Sequence, residues 1–339
     1  MLNLGHITMS TLRRSRKNSA KHHTKGLHPR NIHKQGYDFQ SLIKSYPQLA
    51  PHVKINAHGN PSIAFTDPLA VKALNTALLQ YHYSVLDWDI PTGALCPPIP
   101  GRVDYIHYVA QLLGCTELGT MPPDTHSKIK LLDIGTGANG IYPLLACKIY
   151  GWDCVGSDIN SQSLKNIAEV IAKNPTLNDS FTLRMQHDKN HIFEGVIKAG
   201  EHFDVSVCNP PFHASLDEAL KSGQRKVNNL ARNRQEQLAK QLDPCISGRQ
   251  SLVAPANQNF GGQESELWCS GGERLFLKKL IKESQLFSTQ CRWFTSLISK
   301  IENVKPAKKL LKKLGAIDIR EIEMVQGNKI TRILAWTFS

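Results

Sequence analysis

No stretch of the chain stays apolar long enough to cross a bilayer, which takes about 20 residues. The opening residues also lack the apolar core of a secretory signal, because Leu2 and Leu4 are followed by Gly5, His6 and Thr8. The eight cysteines (Cys96, Cys115, Cys147, Cys154, Cys208, Cys245, Cys269 and Cys291) include no C-x-x-C pair, and none stands at metal-ligand spacing to a histidine. Reduced thiols, no metal site and a cytoplasmic setting are therefore expected. Acid is scarce too. Against 41 lysines and arginines there are 28 acidic residues, for a formal charge of +13, and none precedes Asp38. This balance favours a polyanionic partner, nucleic acid before an anionic membrane surface, and says nothing about fold.

What is present divides the chain into three parts. Residues 1–35 carry Arg13, Arg14, Arg16, Lys17, Lys25 and Arg30 with few apolar side chains, so they are expected to be disordered alone and to order on RNA phosphates. A mitochondrial presequence is the rival reading, but Lys17 to Lys25 offers no apolar helix face. Residues 36–120 read as a mainly helical extension. Asp67 to Tyr83 is a helix with a capping aspartate and Pro68 in its first turn. Ile90 to Pro100 is extended, and Val103 to Leu113 is a second helix.

Residues 125–339 alternate strands with helices. Strands are predicted at Ile129 to Ile134, Asp153 to Ser157, Phe181 to Met185, Phe203 to Cys208 and Trp293 to Ile298. Helices are predicted at Ile141 to Tyr150, Ser161 to Lys173 (capped by Ser161), Gly272 to Ser284 and Pro306 to Leu314. Ile317 to Met324 and Ile330 to Phe338 form a terminal hairpin turning near Gly327 and Asn328. An α/β domain ending in a hairpin fits a class I, Rossmann-like methyltransferase better than a plain dinucleotide fold. The expected architecture is a seven-stranded mixed sheet with helices on both faces. A basic, irregular insertion, about 215–271, includes Arg225 and Lys226. With Lys329 at the hairpin turn, these complete the candidate RNA contacts.

The run Asp133-Ile134-Gly135-Thr136-Gly137-Ala138-Asn139-Gly140 links a strand to a helix. Glycines there let the backbone approach a ligand where a Cβ would collide. Gly135, Gly137 and Gly140 also satisfy G-x-G-x-x-G, which alone does not separate NAD from S-adenosylmethionine. Asp158 ends the next strand, where a carboxylate can accept from both ribose hydroxyls of either cofactor; it can equally serve as an acid at the following helix start near Asn160. Asp133 is expected to support the glycine loop, near the amino group of the cofactor's methionine moiety.

Asn209-Pro210-Pro211-Phe212 directly follows the Phe203 to Cys208 strand, at the end where α/β sheets gather their ligands. The residue types suit methylation of an exocyclic amine. The Asn209 side-chain oxygen and the Pro210 carbonyl can accept the two amine hydrogens and aim the lone pair. The prolines hold the backbone, and Phe212 offers a ring for base stacking. A base so treated must be unpaired or flipped out. The motif alone leaves adenine-N6, cytosine-N4, guanine-N2 and protein glutamine open. A catalytically silent RNA-binding protein and an NAD dehydrogenase are further readings; intact Asn209, Asp158 and Gly135 argue against the silent one.

Beyond these motifs stand Leu27-His28-Pro29-Arg30-Asn31, Phe65-Thr66-Asp67-Pro68, Cys96-Pro97-Pro98-Ile99-Pro100-Gly101-Arg102, Ile141-Tyr142-Pro143, Trp268-Cys269-Ser270-Gly271-Gly272-Glu273 and Gln326-Gly327-Asn328-Lys329. On these residues the chain resembles the bacterial 23S ribosomal RNA adenine-N6 methyltransferase F family and its eukaryotic methyltransferase-like relatives. The resemblance implies an S-adenosylmethionine-dependent enzyme that makes N6-methyladenine at one site of large-subunit rRNA. No metal is expected, and the expected form is a monomer acting on rRNA or a large-subunit assembly intermediate. The resemblance also implies that Arg102 holds the cofactor's carboxylate, and that Gly135, Thr136, Gly137, Asn139, Asp158 and Asn209 line the cofactor beside Asp133. His213 stands where the eukaryotic relatives can carry a second aromatic.

Overall fold

The computed structural model describes residues 26–115, 117–118, 128–211, 271–326 and 329–339. The helices are α1 (Phe39–Ser45), α2 (Pro68–Tyr83), α3 (Ile99–Leu112), α4 (Ile141–Tyr150), α5 (Ser161–Ala172), α6 (Gly272–Leu286) and α7 (Val304–Lys313). The strands are β1 (Val53–Ile55), β2 (Pro61–Ile63), β3 (Lys130–Ile134), β4 (Asp153–Asp158), β5 (Phe181–Met185), β6 (Phe203–Cys208), β7 (Cys291–Ile298), β8 (Asp318–Gln326) and β9 (Lys329–Thr337).

Seven strands form one sheet in the order β5-β4-β3-β6-β7-β9-β8. The first five run parallel, and β9 pairs antiparallel with both β7 and β8. From β3 the chain winds outward through β4 and β5, then returns to lay β6 on the other side of β3. A crevice therefore opens at the carboxyl ends of β3 and β6.

Alternation along the strands divides the core in two. Leu131, Val205 and Val207 pack with Leu144, Ile167 and Tyr105 under α3, α4 and α5. Leu132, Phe203 and Phe294 pack on the opposite face with Leu277, Ile281, Ala307 and Leu311 of α6 and α7. The N-terminal extension joins the first cluster through Phe39, Leu42, Leu74 and Leu78, so it shares the sheet's own core.

Several local expectations shift. Helix α3 starts at Ile99 rather than Val103, because Pro100 in a first turn forfeits an N–H that had no helical partner. Asn160, not Ser161, caps α5, accepting from Gln162 N and Ser163 N. Helix α1 and the β1–β2 hairpin were not expected in the extension.

The chain is also ordered well before residue 36. His28 N donates to Asp104 at 3.0 Å and Asn31 donates to Asp104 and to the Pro100 carbonyl, clipping residues 28–31 onto α3. Arg30 is tied into the fold: its guanidinium donates to the carbonyls of Cys115 (2.9 Å) and His107 (3.1 Å) and lies over the Tyr150 ring. Arg13, Arg14, Arg16, Lys17, Lys25, Arg225 and Lys226 lie outside the described residues, as does the side chain of Lys329.

Candidate active site

A cleft of about 720 Å³ occupies the crevice. The turn after β3 forms its floor. Gly135 has φ 72°, and a Cβ built on it would meet no atom of the described residues within 4 Å. Gly140 differs: its Cβ would lie 2.7 Å from the Ile167 side chain, so this glycine serves the packing of the turn against α5. Gly135, Thr136, Gly137 and Asn139 all line the cleft.

Asp158 lines it from the end of β4. One carboxylate oxygen accepts from Gly137 N at 2.8 Å and the other from Asn160 N at 2.9 Å. Asp158 thus ties the glycine turn to the start of α5 while lining the cleft. Asn139 stands just before the Gly140 cap of α4, its side-chain oxygen accepting from Ile141 N at 3.1 Å.

Asp133 lies directly beneath the turn, fully buried. Neither carboxylate oxygen has a hydrogen-bond partner among the described residues. Burial pushes its pKa up to about 7; Asp158 adds to the rise, while the neighbouring Thr136 hydroxyl and Arg102 restrain it. Arg102 enters from α3 and lines the cleft. Its Nη1 donates to the Tyr142 hydroxyl at 2.5 Å and its Cζ lies 5.4 Å from that ring's centre, while its buried Nε is unpartnered among the described residues.

Asn209 and Pro211 line the same cleft, and Pro210 is buried at the end of β6. The Asn209 side-chain oxygen is buried with no partner among the described residues. Phe212 and His213 lie outside the described residues. The glycine turn, the β4 carboxylate and the asparagine after β6 therefore share one cavity, as the strand-end rule requires.

Other lining residues escaped the sequence reading. Tyr142 holds Arg102. Gln186, directly after β5, donates to the Glu194 carbonyl and accepts from Asp188 N, shaping the loop that brings Lys189, Asn190, His191 and Ile192 to the cleft. The Glu283 carboxylate gathers the backbone N–H groups of Ile192, Phe193 and Glu194 at 2.8–3.0 Å, which anchors this loop to α6. Leu275, Phe276 and Lys279 of α6 form the remaining wall. The signal for Gln186 was its place at a strand's carboxyl end; none announced that α6 folds back onto the site.

Residues 21–339 match the family described as RNA methyltransferase. The chain belongs to this RNA methyltransferase family. "Ribosomal RNA large subunit methyltransferase F" of Saccharophagus degradans is 56% identical over 332 residues, covering 96% of this chain and 99% of the relative. The protein of the same name from Shewanella denitrificans is 54% identical, covering 94% and 85%. Among solved structures, the hMettl16 catalytic domain in complex with MAT2A 3'UTR hairpin 6 aligns with a TM-score of 0.72 at 28% identity, over 93% of this chain and 98% of that one. The N-terminal domain of human METTL16 in complex with SAH aligns with a TM-score of 0.69 at 26% identity, over 93% and 100%.

The cleft of this RNA methyltransferase fits S-adenosylmethionine on its own chemistry. That cofactor carries an ammonium, a carboxylate, a ribose diol and a sulfonium. The lining offers a guanidinium (Arg102) whose Nε has no partner among the described residues, a strand-end carboxylate (Asp158) and an open glycine cradle (Gly135), while Asp133, a carboxyl with no partner among those residues, lies fully buried at the end of β3 just outside the lining.

Proposed function

We propose that this S-adenosylmethionine-dependent RNA methyltransferase transfers a methyl group to N6 of one adenine in large-subunit ribosomal RNA. The observation that carries the reading is the buried side-chain oxygen of Asn209, which has no partner among the described residues and is set in the same cleft as the glycine turn. The names of the bacterial relatives support the ribosomal substrate.

When bound, the cofactor supplies a methyl group on a positively charged sulfur. Arg102 and Asp133 would hold its amino-acid end and Asp158 its ribose. The turn at Gly135 admits the backbone close to it. An adenine amine is a poor nucleophile because its lone pair is delocalised into the ring. Asn209 Oδ1 and the Pro210 carbonyl accept its two hydrogens, which localises the pair and directs it toward the cleft. No strong base is needed, since the proton is lost after the amine has become cationic. Preorganised acceptors of this kind contribute roughly 10²–10³ in rate. Pro210 and Pro211 keep them in place through their locked φ angles. Phe212 stacks on the target base, which must leave any helix to reach the pocket.

We further infer that the enzyme works as a monomer in the cytoplasm, on free rRNA or an assembling large subunit, and that the basic residues outside the described segments contact phosphates. Incubation with large-subunit rRNA and isotopically labelled S-adenosylmethionine, followed by nucleoside analysis, tests the reading. Label in N6-methyladenosine supports it; label in another nucleoside, or only in protein, contradicts it.

A further inference from the structure

Helix α6 has three sides. Leu275, Phe276 and Lys279 face the cleft, and Leu277, Leu280 and Ile281 are buried against the sheet. Arg274, Lys278 and Lys282 occupy the third side, exposed, at i, i+4 and i+8. Helix α7 repeats the pattern. Val304, Ala307 and Leu311 are buried, while Lys305, Lys309 and Lys312 stand exposed at i, i+4 and i+7. The two helices pack together, and Gln285 donates to the Leu314 carbonyl at 2.7 Å, joining their C-terminal ends. Lys282 and Lys312 lie within a turn of that junction.

We propose that these outer faces of α6 and α7 form one phosphate-binding surface that carries the RNA backbone past the mouth of the cleft. Four arguments converge. First, none of the six cations has a carboxylate partner among the described residues, whereas Lys308 of α7 is paired with Glu321. Second, stability accounts for only one of them, Lys312, whose place in the last turn of α7 suits the helix dipole. Like charges at i, i+4 repel, and Arg274 and Lys305 sit in first turns, where a cation opposes the dipole. Third, four residues of helix advance about 6 Å, so each stripe sets its charges a turn apart along a line, the arrangement that tracks a sugar-phosphate chain. Fourth, the surface adjoins the site: α6 presents one side to the cleft and the adjacent side to solvent.

An anionic membrane is the other polyanion to weigh. An interfacial helix lies in the headgroups with an apolar face beside its lysines. Here Val304, Ala307 and Leu311 are already committed to the core. The stripes carry no aromatic residue, so the contacts are to phosphates and not to bases.

The proposal rests on the RNA-methylating reading, and its test separates the two. Two triple variants, Lys305→Gln/Lys309→Gln/Lys312→Gln and Arg274→Gln/Lys278→Gln/Lys282→Gln, are compared with the parent. Binding of a transcribed large-subunit rRNA is measured by fluorescence anisotropy across a salt series. Affinity at low salt is expected to fall at least about tenfold in each variant, and the slope of log K against log salt to flatten by about 2–3 units, since each lost phosphate contact removes about 0.7–0.9. Affinity for S-adenosylmethionine and the methylation rate at saturating RNA stay at parental values, and the melting temperature does not fall, since the lost charges repel one another along each stripe. Parental RNA affinity and slope in both variants, with methylation intact, overturn the surface and leave the function standing. Binding of phosphatidylserine vesicles that the variants lose, while RNA affinity stays parental, overturns it in favour of a membrane. A parent that methylates no RNA overturns the function and the surface together.

Discussion

The Tyr105 hydroxyl lies 3.3 Å from the backbone nitrogen of Cys208, the residue immediately before Asn209. The same hydroxyl sits 2.8 Å from the Thr295 hydroxyl, which itself donates to the Ser206 carbonyl. A tyrosine from α3 thus ties the end of β6 to β7 just where β6 delivers the acceptor loop. Its ring meets that of Tyr142 edge-on at 5.2 Å, and Tyr142 holds Arg102. One line of contacts runs from Arg102 through Tyr142 and Tyr105 to the residue before Asn209.

Tyr105→Phe keeps the ring and removes the hydroxyl. An unmade buried hydrogen bond costs about 1–3 kcal/mol, so the melting temperature falls by a few degrees. The rate constant at saturating substrates is expected to fall roughly tenfold, because loosening by part of an ångström is enough to misalign the acceptors. The Kd for S-adenosylmethionine, measured by calorimetry, stays within about twofold, well inside the tenfold that 1.4 kcal/mol represents.

Gly135 and Gly140 separate ligand binding from folding. Alanine at Gly135 fills the cradle at a positive φ, and affinity for S-adenosylmethionine is expected to drop at least about tenfold, with strain of about 1–2 kcal/mol. Alanine at Gly140 collides with Ile167, so its main effect is a lower melting temperature. Calorimetry and thermal melts on both variants check the contrast.

Asp133 gives the site a pH dependence with a defined sign. Burial holds its folded pKa near 7, above the ordinary carboxylate value of 3.8, so the empty site gains a proton as pH falls through 7. The raised pKa means the folded state binds more protons than the unfolded state between those values. Stability from this group is therefore present at low pH and lost as pH rises toward 7. A cationic amino group prefers the ionised carboxyl. Affinity for S-adenosylmethionine should accordingly rise between about pH 6 and pH 8, one unit either side of that pKa, and Asp133→Asn should flatten the curve at lower affinity.

Glu273 tests a structural clip. This buried carboxylate accepts from Ser299 N, the Ser299 hydroxyl, Lys300 N and Asn303 Nδ2, binding the start of α6 to the end of β7. Glu273→Ala leaves these donors unmet and should cost about 3 kcal/mol in denaturant unfolding, with parental affinity for S-adenosylmethionine in the remaining folded fraction.

The local chemistry of the site was readable because each part lies within a few residues of a strand end. The runs Asp133 to Gly140, Asp158 and Asn209 to Pro211 needed only the rule that α/β sheets bind at their carboxyl edges. Helix α4 and strands β5 and β6 matched their expected bounds: β6 is buried along nearly its whole length, and the left-handed Gly151 ends α4. What escaped notice depends on distant parts of the chain meeting. Tyr105 looks like a core residue until β6 and β7 are placed beside it. Arg30 looks like part of a solvated tail until Cys115 and His107 present their carbonyls. Leu275, Phe276 and Lys279 follow a long basic insertion, and nothing local to them marks their return to the cleft.

If Asn209 and the glycine turn form one methyl-transfer site, an Asn209→Ala variant loses the reaction and keeps both ligands. Single-turnover methylation of rRNA should slow by at least about 100-fold, the scale of a lost preorganised acceptor, while S-adenosylmethionine and RNA bind as in the parent. A variant that methylates within a few-fold of the parental rate would contradict the account.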